Sequence, residues 1–135
     1  MIEGFTQETA PLSQFESEQI LPELVKLLKT KYGSFNAVTN GYIIASLKNV
    51  ITTSRNKKIG EARVRKLINH IRTNDLIPGL MATSEGYFIA SSAAELVEYE
   101  ESLKSREDAI RAVRLSIARQ RREFYEGAHQ EPKLF

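Results

Sequence analysis

The chain contains no cysteine among its 135 residues. Disulfides, thiolate metal sites and cysteine nucleophiles are therefore excluded, and the fold needs no oxidising compartment. No apolar run approaches the length of a membrane span. Met1 to Gln14 carries no lysine or arginine. A secretory leader needs a basic start followed by an apolar stretch, so a cytoplasmic protein is expected. No glycine-rich phosphate loop, nucleophile elbow or zinc motif occurs. Internal repeats and low-complexity segments are also missing.

The two histidines, His70 and His129, are isolated in the sequence, so no metal site is expected. Glu98, Glu100 and Glu101 lack a histidine or lysine partner at a catalytic spacing and read as a solvated face. No cofactor is implied, and no residue earns a catalytic role. An enzyme is not expected.

What is present is ordinary in amount and uneven in place. Hydrophobic residues make up 41% and charged residues 27%, enough apolar material for one globular domain. The net charge is only +2, but it is segregated. Arg55 to Arg72 holds seven bases and one acid, Glu61, whereas Met1 to Lys31 holds five acids and three bases. A local basic excess is what an electrostatic footprint requires.

Residues 1–16 contain Pro11 and no clear period, and are expected to form a loose arm. From Ser17, Leu21, Leu24, Val25, Leu27 and Leu28 recur at helical spacing. Pro22 falls where a first turn tolerates it, and Gly33 marks the stop. Thr39 or Asn40 is the candidate cap of a second helix carrying Ile43, Ile44, Leu47 and Val50. A polar, basic loop follows over Thr52 to Lys58. The third helix is expected from about Gly60 to Asn74, with Val64, Leu67, Ile68 and Ile71 as its apolar stripe.

The period then changes. Leu80 to Thr83 and Tyr87 to Ala90 are short β-prone runs around a turn containing Gly86, the signature of a hairpin. Alternation lets either Tyr87 and Ile89 or Phe88 face a core. The hairpin tip offers only Glu85, which argues against strong contact with phosphate.

Ser92 and Glu95 form a capping box that opens a last helical region, 92–126. Ser105 and Asp108 would allow a break into two helices. Leu96, Leu103, Ile110, Ile117 and Phe124 lie seven apart. Tyr99 and Val113 occupy the companion position, but so do Arg106 and Gln120. The seam implies a homodimer or a helix packed back on its own domain. Arg111, Arg114, Arg119, Arg121 and Arg122 are either phosphate contacts or a solvated face. Residues 127–135 read as a tail.

Three helices followed by a hairpin is the order of a winged helix-turn-helix. The expected class is mainly α (α+β), with residues 17–91 as the winged-helix domain, a two-stranded wing and a C-terminal helical extension. In that architecture the third helix enters the DNA major groove. Arg63, Arg65, Lys66, Asn69 and Arg72 are its candidate DNA contacts, since arginine suits guanine edges or phosphate and asparagine suits adenine. Arg55, Lys57 and Lys58 suit phosphate anchoring. A solvated helix face is the plainer alternative.

The chain also resembles the winged-helix core of small proteins encoded by bacteriophages and mobile elements. Val64-Arg65-Lys66-Leu67-Ile68 and Ile71-Arg72 carry the resemblance in the third helix. Pro78, Thr83 and Gly86-Tyr87-Phe88-Ile89-Ala90 carry it in the hairpin, and Tyr99, Ser102, Leu103 and Arg106 in the helix beyond. It spans Ile20 to Gln120 and implies the winged-helix fold with, by fold analogy, a DNA-linked role in regulation or replication. It supplies no catalytic residue. The expectations are double-stranded DNA as the partner, with Leu96, Leu103, Ile110 and Ile117 as a dimer seam, or a protein-docking adaptor that binds no DNA.

Overall fold

The computed structural model describes residues 9–52 and 59–126. Ser13 starts the first helix. Its hydroxyl accepts from the Glu16 N–H at 3.1 Å, and the Glu16 carboxylate accepts from the Ser13 N–H at 2.8 Å. This reciprocal capping box satisfies two donors that a helix start would otherwise leave open. A π turn, Glu16–Ile20, leads directly into α1, Leu21–Leu28. The Leu21 N–H bonds back to the Glu16 carbonyl just before Pro22, which has no N–H to offer.

A 3₁₀ turn, Ser34–Asn36, links α1 to α2, Asn40–Ser46. Thr39 caps α2 by accepting from the Tyr42 N–H at 3.1 Å. A short α3, Lys48–Thr52, follows where one helix was expected. The backbone at Leu47 leaves the helical region, although Ile51 still donates to its carbonyl at 2.9 Å.

The expected third helix is α4, Glu61–Thr73. It ends on Asp75, whose φ of +57° is left-handed. The Leu76 N–H then returns to the Ile71 carbonyl at 3.0 Å, closing the helix with a Schellman-type bond.

β1, Leu80–Thr83, pairs antiparallel with β2, Gly86–Ile89. Leu80 faces Ile89 and Thr83 faces Gly86, so Ser84 and Glu85 alone form the turn. The other edge of β2 is also occupied. Lys31 to Gly33 exchanges two bonds with Ile89, and Val38 exchanges two with Tyr87. Gly86 has φ +122°, and a Cβ there would collide with the Val38 carbonyl. The approach of this backbone is what requires glycine.

The core gathers Ile20, Leu24 and Leu28 with Ile43, Leu47, Val64, Leu67, Ile68, Ile71, Tyr87 and Ile89. Leu12 and Phe15 pack against it. The arm expected over residues 1–16 is thus tied down from Leu12 onward, and residues 1–8 lie outside the described part. Tyr87, Phe88 and Ile89 are all buried. The expectation that only one face of β2 would be covered is corrected. Tyr87 and Ile89 join the core cluster, while Phe88 is buried opposite Met81, which is buried too.

The chain divides after Ala93 into two compact units. The second is built on α5, Ala93–Arg121, continued by a π turn, Arg122–Glu126. α5 is one helix, without the break that Ser105 and Asp108 allowed, and none of its residues is buried. The described residues make a mainly helical structure with one small antiparallel sheet. Among them, no helix is long and apolar enough to cross a membrane.

Candidate nucleic-acid interface

α4 has two distinct sides. Ala62, Val64, Leu67, Ile68 and Ile71 are buried and hold the helix on the core. At ~25 cal/mol per Å² of apolar area removed from water, each large member contributes about 1.5–3 kcal/mol. That anchorage fixes the direction of the other side, where the polar residues stand.

Arg65, Asn69 and Arg72 recur at i, i+4 and i+7, so they share one face. Together with Ile68, Ala82 and Tyr87 they line a notch of ≈120 Å³ between α4 and the hairpin. The Arg72 guanidinium donates to the Asn69 amide oxygen at 3.4 Å, a long bond. Asn69 is exposed, while Arg65 and Arg72 are half-buried. Lys66 is half-buried on the same helix but does not line the notch.

Tyr87, on the hairpin side of the notch, is itself hydrogen-bonded. The Tyr87 hydroxyl donates to the Asn40 side-chain oxygen at 2.6 Å. The Asn40 amide in turn reaches the Glu61 carboxylate at 3.5 Å, at the geometric limit. Burial pushes the Tyr87 hydroxyl above its ordinary value, against the opposing fields of Arg65 and Arg72. The phenol therefore stays protonated at neutral pH, and its proton is committed to Asn40. What the notch can offer is two guanidinium groups and one amide. That set suits an oxyanion or the acceptor edge of a base.

Arg63 departs from its expected role. It was grouped with the outward DNA contacts, but its side chain is only 13% exposed. It forms a bidentate pair with Glu16, at 2.9 Å through Nε and 2.7 Å through Nη2. Its remaining reach is taken by the carbonyls of Ala10, at 3.0 Å, and Pro11, at 3.0 Å. Arg63 therefore ties the N-terminal segment to α4 instead of facing solvent. Burial alone would raise the Glu16 carboxyl, but the hydrogen bonds from Arg63 and Ser13 overcome it and hold Glu16 below its usual range. The same pairing raises the Arg63 guanidinium further.

Arg55, Lys57 and Lys58 lie outside the described residues. Leu96, Leu103, Ile110 and Ile117 stand at the expected seven-residue interval on α5, at 37%, 38%, 70% and 56% exposure. His70 sits beside Asn74, whose amide caps the His70 carbonyl at 2.9 Å. No cluster of metal-ligating side chains occurs among the described residues. Ala82 was not singled out from the sequence, Asn40 is there only a candidate helix cap, and Tyr87 is either a packing residue or a wing-tip contact. Nothing in the local pattern joins Asn40 to Tyr87, because their meeting depends on the pairing of Val38 with β2.

No family model, curated protein or solved structure matches this chain.

Proposed function

We propose that the first unit is a winged helix-turn-helix that binds double-stranded DNA, with α4 as the recognition helix and β1–β2 as the wing. The observation that carries this reading is the gathering of Arg65, Asn69 and Arg72 on the solvent side of α4, beside the hairpin. An α-helix fits the major groove, and such side chains meet base edges and phosphates there. The order of the elements supports it, as does the strand-like pairing of Lys31 to Val38 along β2. Lys66 adds a point charge for a phosphate, and Arg55, Lys57 and Lys58 add more from the preceding segment. A role in regulation or replication is part of the same proposal and rests on the fold analogy alone. Arg63 is left out of the interface.

The test is fluorescence anisotropy of a labelled random duplex. Arg65→Ala with Lys66→Ala should lower the salt slope by roughly one to two counterions while leaving the fold intact. Unchanged affinity and slope in the folded double variant would remove these residues from the interface.

A second reading is a protein-docking adaptor. It is favoured by the exposed Leu103, Ile110, Val113 and Ile117 on α5, since exposed apolar positions in register are commonly covered by a protein partner. It expects no DNA affinity at low salt and a defined complex or oligomer.

A further inference from the structure

α5 is divided by charge. From Glu95 to Asp108 it carries six acids and two bases, and from Ala109 to Arg122 the chain carries five arginines and no acid. The seven-residue seam crosses both halves. Ile110 and Val113, near its middle, are 70% and 62% exposed. With Ala109 and Arg114 they line an open apolar depression.

We infer that α5 pairs antiparallel with α5 of a second copy, centred between Ile110 and Val113. A parallel pair would lay the acidic halves together and the arginine halves together. An antiparallel pair lays each acidic half along a basic one, and opposite charges in contact favour that orientation.

The register follows from the same residues. Setting Ile110 against Val113 of the second copy brings Leu103 to Gln120, and Ile117 to the aliphatic stem of Arg106. The two-fold axis repeats each layer, so the centre is apolar on both sides of the axis. Arg106 and Gln120 take the flanking layers, where they sit against one apolar residue each. Beside the seam, Glu100, Glu107, Arg114 and Arg121 follow at seven-residue intervals. In this register Glu107 faces Arg114 and Glu100 faces Arg121, each twice. A slip of seven residues sets Glu107 on Glu107 or Arg114 on Arg114. Charge therefore selects one register as well as one direction. The inference stands on α5 alone and does not depend on DNA binding.

The experiment uses the full chain. Sedimentation equilibrium should give twice the 15.3 kDa chain mass at tens of micromolar. With no native cysteine, Glu98→Cys can carry a single nitroxide. At about 1.5 Å per residue, the antiparallel register separates two such labels by about 40 Å, and a parallel pair by less than about 25 Å. Pulsed electron paramagnetic resonance should find the long distance. Glu100→Arg with Glu107→Arg, and separately Arg114→Glu with Arg121→Glu, should each weaken the dimer at least tenfold. Mixing the two variants should restore it, with helical content unchanged by circular dichroism. A wild-type chain that stays monomeric, a short label distance, or a mixture that stays monomeric would each overturn the inference.

Discussion

Glu16 and Arg63 show how one pair of side chains can be committed to the fold. Both are nearly buried, at 5% and 13% side-chain exposure, and removing one partner of such a pair strands the other. Glu16→Gln should cost about 3 kcal/mol in denaturant unfolding. Its pH dependence has a definite sign. The folded carboxyl titrates below the ordinary 4.5, so the contribution is complete above that value and is lost as pH falls through the lower folded value. The gap in urea midpoint between wild type and Glu16→Gln should be widest at neutral pH and close in acid. A gap that widens in acid would contradict the assignment. A smaller effect belongs to Tyr87→Phe, which removes the donor to Asn40 and should cost about 1 kcal/mol.

At the scale of elements, two backbone positions make opposite predictions. Asp75 holds a left-handed φ at the end of α4, and its negative charge opposes the helix dipole there. Asp75→Gly should raise stability by about 1 kcal/mol, read as a higher thermal midpoint. Gly86→Ala must both adopt φ +122° and meet Val38, and should lose about 3 kcal/mol. The elements themselves were unequally legible. The stripe Val64, Leu67, Ile68, Ile71 located α4 to within a residue at each end, because one buried face imposes one period. The hairpin was legible from Gly86 and its flanking runs. The helix start at Ser13 was missed, although Ser13-Gln14-Phe15-Glu16 spells a capping box, because no apolar period precedes Ile20 to draw attention to it. The division at Leu47 left no trace in the pattern, since Ile43, Leu47 and Val50 keep helical spacing through it.

For the molecule as a whole, the local basic excess pointed to α4 but could not say which cations face outward. Arg63 and Arg65 are two positions apart and therefore lie on different sides of the helix. One meets Glu16, 47 residues away in the chain, and the other lines the notch beside Tyr87. That distinction is tertiary, because a helical wheel shows separate faces without showing which neighbour each one meets. It also sharpens the proposed interface: Arg63→Ala should act mainly through stability, and Arg65→Ala mainly through DNA affinity. The most direct measurement is the anisotropy of a labelled random DNA duplex titrated with the full chain at low and at moderate salt. The account predicts micromolar or tighter binding at low salt, falling steeply at the higher salt and weakened by Arg65→Ala with Lys66→Ala. No binding at low salt would contradict it and leave α5 as the working surface.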